Sequence, residues 1–263
     1  MWQYSAEGAV TANSAAGSPA HRYLQSGAWD RQGNRLLIFG GRSGSGAELN
    51  DLWQYTTAGG WQQLLADGAE GSPSRRRSAS AVWDTQSNRL LVFGGRAGSD
   101  LTNDLWQFVD ATGWSVVTAN WAGSLPRPRS AHDMAWDSSK GRLLLFGGIT
   151  SESYPMREEP DFWAYTREYG WQQVHSPQVS SSRRYNHSAT WDSEAGRLLI
   201  LGGSFAFSTN DLLEYTDMGG WRSLTNEVSG TKPSPREGHA AAFETQWGGG
   251  CWSTVGSSCR RVP

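Results

Sequence analysis

Three histidines occupy the same place in three similar segments of the chain. His132, His187 and His239 each lie four residues before an aromatic residue. Imidazole is the commonest transition-metal ligand, so one hypothesis is a metal site built from one histidine of each segment. The alternative is a packed, hydrogen-bonded histidine, which we favour because no carboxylate or thiolate recurs beside the three. We therefore expect neither a metal nor another cofactor.

An arginine recurs seven residues before the same aromatic positions. Its five copies are Arg22, Arg76, Arg129, Arg184 and Arg236. Such a row can line a channel mouth and hold carboxylates or acidic peptides through paired hydrogen bonds. Each arginine can equally pair with an aspartate further along its own segment, and those aspartates are Asp51, Asp104, Asp161 and Asp211. A residue repeated in every segment suggests a need that every segment shares, so we favour structural pairing over ligand contact.

Other basic residues stand outside this period and are better candidates for binding. They are Arg75, Arg77, Arg127 and Arg183. A further candidate is the loop at residues 149–160, which contains Tyr154, Met156, Arg157 and Glu158. Tyr, Met and Arg are enriched in protein interfaces, so this loop is our first choice for a contact site. The alternative for each of these residues is an ordinary solvated loop.

The elements that position these residues are built on a segment that occurs four times. It reads WDRQGNRLLIFGG at residues 29–41 and returns with few changes at 83–95, 136–148 and 191–203. The glycine doublets that close it are Gly40 and Gly41, Gly94 and Gly95, Gly147 and Gly148, and Gly202 and Gly203. Their first members lie 54, 53 and 55 residues apart. A period near fifty indicates a repeat architecture.

Each repeat continues with NDLWQY or a close variant and then with a Gly-Trp pair. The tryptophans of these pairs are Trp61, Trp114, Trp171 and Trp221. This ordered set resembles the kelch repeat, in which a glycine doublet ends one strand, an aromatic lies in the next and a tryptophan follows. The resemblance covers nearly the whole chain. It implies a β-propeller of the galactose oxidase-like superfamily.

Within one unit the pattern predicts four short strands, here called A to D in chain order. Strand A is rich in small residues, which suit the crowded centre of a radial fold. Strand B is apolar at every position, which indicates burial on both faces. The A–B turn has a constant length, whereas the B–C connections vary, and strand alternation brings the B–C and D–A connections to one face. We expect recognition on that variable face, because binding usually uses the loops of a rigid scaffold.

We predict an all-β, kelch-type β-propeller with four complete four-stranded blades plus partial terminal blades. The expected divisions are 1–17 (strands C and D of a partial blade), 18–71, 72–124, 125–179, 180–230, 231–246 (strand A of a further blade) and 247–263. The two terminal pieces are expected to form one composite blade. Because kelch rings usually have six or seven blades, these five units are expected to be a fragment of a ring.

Composition narrows the range of partners. The net charge is −2 and the pI about 6.2, which argues against nucleic acid and against an anionic membrane surface. No apolar run approaches the roughly 18 residues of a membrane helix, and no basic-then-apolar signal segment opens the chain. We expect no membrane insertion and a soluble chain. The compartment stays open, and so does secretion of a longer parent protein.

Enzyme motifs are absent from the sequence. It contains no Gly-rich phosphate loop, no GxSxG and no HExxH. The copper radical oxidases of this superfamily need a cysteine cross-linked to tyrosine, and no complete repeat contains cysteine. We therefore predict a noncatalytic scaffold that binds a protein or peptide through its variable B–C and D–A loops. The alternative is a carbohydrate-binding or carbohydrate-active propeller that uses the channel mouth.

The C-terminal stretch breaks the repeat after Gln246. Reading from the last base of the Trp247 codon, a shifted frame permits GRRLLVYGG, which continues residues 243–246 into a normal copy of the repeated segment. We therefore expect residues 247–263 to be an out-of-frame tail in which Cys251 and Cys259 have no role.

This expectation is tested by resequencing the locus. A base lost, or two gained, near the codon of Trp247 is the expected result, with further repeat units in the restored frame. An unaltered frame that stops after Pro263, with no repeat units downstream, would refute it.

Overall fold

The computed structural model describes residues 17–120, 126–151, 157–174, 183–227 and 232–244. It also describes the short strands Trp2–Tyr4, Val10–Ala12, Cys251–Thr254 and Arg260–Arg261. Every regular element in these parts of the chain is a β-strand. No helix of the length and apolarity that a membrane crossing requires occurs among the described residues.

Four sheets, each with its strands in the order A-B-C-D, form four blades. Strand A is Ser26–Asp30, Ser80–Asp84, Asp133–Asp137 and Ser188–Asp192. Strand B is Arg35–Ser43, Arg89–Ala97, Arg142–Phe146 and Arg197–Leu201. Strand C is Glu48–Thr56, Asp100–Val109, Phe162–Thr166 and Leu212–Thr216. Strand D is Gly60–Leu65, Gly113–Thr118, Gly170–Val174 and Gly220–Ser223. The predicted propeller with four complete blades is confirmed.

The B–C connections differ among the blades, as the sequence predicted. In blades 1 and 2, strands B and C continue beyond the glycine doublet as one long hairpin. In blades 3 and 4 a separate two-stranded ribbon follows the doublet. Its strands are Ile149–Ser151 with Arg157–Glu158 in blade 3, and Ser204–Phe205 with Phe207–Ser208 in blade 4. Blade 1 has an additional short strand, Arg22–Tyr23, which pairs with the end of strand B.

Strand B is buried on both faces because alternate side chains enter different interfaces. Leu90 and Val92 pack into the core between blades 1 and 2, whereas Leu91 and Phe93 pack into the core between blades 2 and 3. The same alternation sends Leu143 and Leu145 towards blade 2, and Leu144 and Phe146 towards blade 4. The hydrophobic core is therefore a series of layers between blades.

The tryptophan of strand D is the aromatic part of each layer. It contacts the strand-B phenylalanine of the preceding blade: Trp114 lies 5.1 Å from Phe39, Trp171 5.0 Å from Phe93 and Trp221 5.0 Å from Phe146, measured between ring centroids. Each indole also contacts the aromatic residue of its own strand C. The Gly-Trp pair thus joins one blade to the one before it.

An open row of backbone hydrogen bonds runs from blade to blade beside strand A. Ser78 donates its N–H to the carbonyl of Leu24, Ala131 to Ser78, Asn186 to Ala131 and Gly238 to Asn186, over 2.8–3.0 Å. All five residues have positive φ, from 52° to 64°. Non-glycine residues adopt this conformation at a cost, so the hydrogen bonds hold the backbone in it.

The strands at the two ends of the chain belong to separate small sheets. Trp2–Tyr4 pairs with Val10–Ala12, and Ala241–Glu244 pairs with Cys251–Thr254, which pairs with Arg260–Arg261. Ala241–Glu244 lies against strand A of blade 4, as each strand A lies against the next. The described pairings include none between the two ends, so the composite blade and the division boundaries stay predictions.

We predict that replacing Trp171 by alanine lowers the free energy of unfolding by about 3–5 kcal/mol, because the indole is buried in the layer between blades 2 and 3. Urea denaturation followed by circular dichroism measures it. Trp29, which is half exposed, is the matched control, and Trp29→Ala should cost much less. A cost below about 1 kcal/mol for Trp171→Ala would contradict the packing described above.

Candidate functional site

The repeated arginine is a buried link inside each blade. Arg76 donates from its two terminal nitrogens to the carboxylate of Asp104 at 2.7 and 2.9 Å and to the carbonyl of Gly94 at 3.0 Å. Arg129 bonds Asp161 and Gly147 in the same way. Arg22 pairs with Asp51 at 2.6 Å, and Arg184 with Asp211 at 3.6 Å. The arginine therefore fastens the beginning of its unit to strands B and C of the same blade.

The main chain of the same arginine makes a second link, to the preceding blade. The N–H of the second glycine in each doublet donates to the arginine carbonyl of the next unit, at 2.9 Å in all four copies. The arginine N–H of Arg76, Arg129 and Arg236 donates in turn to the B–C connection of the preceding blade. One residue thus joins two consecutive blades.

Three of these arginines are too deeply buried to contact a ligand. Arg76, Arg129 and Arg184 are at most 1% exposed. Burial alone would raise the pKa of Asp104, but the hydrogen bonds and charge of Arg76 outweigh burial and hold that pKa below its usual value. Of the two readings of this arginine row, the contacts favour pairing.

The histidines are buried against the backbone of the preceding blade. His132 lies 5.4 Å from the ring of Phe93, and His187 lies 5.4 Å from Phe146, between ring centroids. A Cβ on Gly94 would come within 3.0 Å of the His132 ring, so the first glycine of the doublet leaves room for the imidazole. Burial, with the charge of Arg129, lowers the pKa of His132 to about 3. The His132 ring is therefore uncharged and packed between the blades.

The described residues contain no cluster of three or more His, Cys, Asp or Glu side chains that could hold a metal ion. His239 accepts or donates a hydrogen bond at 3.0 Å with the hydroxyl of Ser188, and this partner belongs to the neighbouring blade. His132 and His187 pack against phenylalanine rings, but their ring nitrogens have no hydrogen-bond partner among the described residues. The expected packing is therefore found along the row, whereas the expected hydrogen bond is found at His239 and not at these two.

One carboxylate near the axis was missed by sequence reasoning. Asp133 accepts hydrogen bonds from the hydroxyl of Ser80 in blade 2 at 2.7 Å and from the N–H of Ala189 in blade 4 at 2.8 Å. Burial raises the pKa of this carboxyl to about 6, against the hydrogen bonds that lower it. Its register holds serine in the other complete blades, so the aspartate is visible in the sequence only as an exception.

The variable face carries two clefts between its loops. The first, of about 830 Å³, lies where blades 1 and 2 meet and is lined by Arg42, Gly46, Ala47, Glu48, Asp67, Arg75, Arg77, Arg96 and Gly98. The second, of about 740 Å³, lies where blades 2 and 3 meet and is lined by Arg96, Ser99, Asp100, Leu101, Asn120, Arg127, Pro128, Thr150, Ser151 and Arg157. Arg96 lines both clefts.

The structure brings four of the predicted arginines to these clefts. Arg75 and Arg77 line the first, and Arg127 and Arg157 line the second. Arg75 pairs with Asp67 at 2.9 Å, and Arg77 pairs with Glu48. Arg127 and Arg157 both pair with Glu159, which lies two residues after Arg157.

Other predicted residues lie elsewhere. Arg183 is exposed but lines neither cleft, and Glu158 is half-buried in the ribbon of blade 3. Tyr154 and Met156 lie outside the described residues. Arg42 and Arg96, which sequence reasoning missed, each follow a glycine doublet directly. That signal is present in only two units, so it does not stand out as part of the repeat.

The face opposite the variable loops has its own repeated ion pair, which was also missed. The aspartate that ends strand A accepts the Nε–H of the arginine that begins strand B at 2.8 Å in every blade. The pairs are Asp30 with Arg35, Asp84 with Arg89, Asp137 with Arg142 and Asp192 with Arg197. These contacts explain why the A–B turn has a constant length.

We predict that lowering the pH from 7 to 5 destabilises the protein partly through His132. Its pKa is depressed by burial, so the unfolded chain binds a proton below about pH 6.5 and the folded chain does not. Unit 2 has Ala79 in this register, so the fold accepts alanine there. The free energy of unfolding should fall by about 2 kcal/mol less between pH 7 and pH 5 in His132→Ala than in the unaltered chain.

Urea titrations at both pH values measure this difference. Asp133 changes the free energy of unfolding in the opposite direction. Because its pKa is raised, the folded state binds a proton as the pH falls through about 6 and gains stability. Comparing the variant with the unaltered chain removes that contribution. Gln25, which holds this register in unit 1 and has no titratable group, supplies the matched control, Gln25→Ala, which should leave the loss unchanged. An equal loss in His132→Ala and the unaltered chain would exclude a buried, uncharged His132.

Comparisons with known proteins agree with this architecture. The model of the KLHDC2/KLHL20/DRC7 Kelch-repeats domain matches residues 6–140 and 109–257. Dynein regulatory complex subunit 7 of Chlamydomonas reinhardtii is 36% identical over 120 residues, which are 44% of this chain and 10% of that protein. Kelch domain-containing protein 10 of Homo sapiens is 29% identical over 206 residues, 74% of this chain and 42% of that protein.

A third relative is many times longer than this chain. The dynein alpha chain of the flagellar outer arm of Chlamydomonas reinhardtii is 29% identical over 212 residues, 73% of this chain and 4% of that protein. The chain thus spans less than half the length of each of these relatives. Together with the four blades and their repeated glycine, arginine and tryptophan contacts, the match over residues 6–257 shows that the chain belongs to the kelch-repeat family.

Proposed function

We propose that this chain is a noncatalytic kelch propeller that binds a protein or peptide through the face formed by its B–C and D–A loops. The observation that carries the proposal is the division of its arginines. Four arginines of the repeat, Arg22, Arg76, Arg129 and Arg184, pair with aspartates inside the scaffold. Arg127 and Arg157, which do not repeat, have side chains 58% and 61% exposed beside a cleft. Exposed, non-periodic arginines at a cleft are typical of recognition surfaces.

A noncatalytic role is supported by where the acid–base groups lie. His132 and His187 are 5% exposed, packed between blades, and line neither of the two clefts described above. Neither cleft has a histidine, lysine or cysteine among its lining residues. Ser99 in the second cleft donates its hydroxyl to the carboxylate of Asp100 at 3.2 Å, but no histidine, lysine or cysteine lies beside this pair among the residues that line the cleft.

A protein partner is better supported than a carbohydrate. A sugar-binding reading relied on Arg129 and His187 at the channel mouth, and both are buried in contacts within the scaffold. The clefts also lack an aromatic ring among their lining residues, so no flat apolar platform is present there. One relative, dynein regulatory complex subunit 7, is by its name a subunit of an assembly, which is consistent with a binding role.

We predict that affinity purification of the tagged full chain from its source cells retains a protein partner, and that Arg127→Glu with Arg157→Glu abolishes this capture. The variant reverses two exposed charges at the second cleft without touching the buried links. The matched control is Arg31→Glu, which reverses an exposed arginine in the A–B turn on the opposite face.

Quantitative mass spectrometry of the three eluates, with thermal unfolding to check folding, measures the result. A partner retained by the control and lost from the double variant supports the proposal. Equal recovery from all three forms, or a glycan-array signal with no captured protein, would overturn it.

A further inference from the structure

We infer that the partner segment is an acidic, extended stretch of polypeptide whose carboxylates bind along one arginine-lined groove across blades 1 to 3. This inference rests on the proposed function and specifies the chemistry of the ligand. The two clefts are neighbours that share Arg96 in their linings, so one extended segment can contact both, and we call them together the groove.

The charge of the groove differs in sign from that of the chain. Six arginines line it, against the carboxylates of Glu48, Asp67 and Asp100 and that of Glu159 beside Arg127 and Arg157, whereas the chain as a whole has a net charge of −2. The arginines are Arg42, Arg75, Arg77, Arg96, Arg127 and Arg157. A local excess of guanidinium groups on an otherwise acidic protein attracts and orients an anionic ligand.

Several of these guanidinium groups are already held in place by the loops. Arg42 donates from Nε to the carbonyl of Gly46 at 2.8 Å, and Arg96 donates from Nε to Gly98 at 2.9 Å. Glu48 reaches from blade 1 to pair with Arg77 of blade 2, and its other oxygen accepts the N–H of Gly98 at 2.6 Å. Such anchoring reduces the entropy lost when a ligand carboxylate binds.

Glu159 shows how a carboxylate fits at the second cleft. Its Oε1 lies 3.5 Å from Arg127 and 3.3 Å from Arg157 and accepts a hydrogen bond from Thr150 at 3.1 Å. These ion pairs are longer than the 2.6–2.7 Å of the buried links at Arg22 and Arg76. Two exposed guanidinium groups thus share one nearly buried carboxylate. Each has further donors with which to bind a ligand carboxylate from the solvent side.

A peptide fits this groove better than a nucleic acid does. Glu48, Asp67 and Asp100 lie among the arginines, so a continuous polyphosphate would meet repulsion along its length. An extended peptide alternates its side chains and also presents backbone N–H groups. Its acidic residues can therefore face the arginines while its N–H groups face the groove's carboxylates.

The test uses a fluorescein-labelled peptide of four Glu-Gly-Ser triplets, a Gln-Gly-Ser peptide of the same length and a single-stranded oligonucleotide. Fluorescence anisotropy with the full chain should show binding of the Glu peptide only, weakened by added salt. Arg157→Glu and Arg96→Glu should each weaken it by about tenfold or more, because each removes a charge-assisted hydrogen bond and adds repulsion. Arg31→Glu should leave affinity within about twofold of the unaltered chain.

The outcomes separate this inference from the proposed function. A partner captured through Arg127 and Arg157, with no binding of the Glu peptide, would overturn the inference and leave the proposed function standing. Equal binding of the oligonucleotide or the Gln peptide would overturn it as well. So would a Glu-peptide affinity that neither Arg157→Glu nor Arg96→Glu changes while thermal unfolding shows both variants folded.

Discussion

The structure depends on one arginine per unit that is hydrogen-bonded to two consecutive blades. Its main chain is hydrogen-bonded to the glycine doublet of the preceding blade, and its side chain is bonded to the aspartate and glycine carbonyl of its own blade. Since the guanidinium is buried, losing its carboxylate would leave a charge without compensation in a site of low polarity. The bidentate geometry fixes the beginning of the unit against strands B and C of its own blade, and the main-chain hydrogen bonds fix it against the preceding blade. The apolar layers between blades fill the space that these links define.

The glycine doublet follows from this link. A Cβ on Gly94 would lie 2.9 Å from the carbonyl of Arg129, and one on Gly95 would lie 2.8 Å from the carbonyl of Arg77. Both glycines also have positive φ, at 62° and 100°. The doublet therefore marks a place where main chains approach too closely for a Cβ, at Gly94 from the next unit and at Gly95 from its own unit. The histidine beside it uses the same space, which explains why it is neutral and packed.

Much of this architecture could be predicted from the sequence, because it relies on side chains that repeat. The period, strand B with its two buried faces and the aspartates facing the arginine row all appear as residue types at fixed spacing. The row of hydrogen bonds from Leu24 to Gly238 could not be predicted, since main-chain groups make it and its residue types differ. The groove could not be predicted from the sequence either. Arg42 and Arg96 become neighbours of Arg75 and Arg77 only when the blades are stacked.

The double role of the repeated arginine has a consequence for how such a chain changes in evolution. Every unit supplies one half of the junction before it and one half of the junction after it, always with the same atoms. Duplication or deletion of one whole unit, of 53 to 55 residues, therefore regenerates an intact junction at the new boundary. Insertion within a strand would separate the two halves, whereas the B–C connections already differ in length without disturbing the junctions. Genes of this kind are expected to gain and lose blades as complete units, while their rim loops diverge independently.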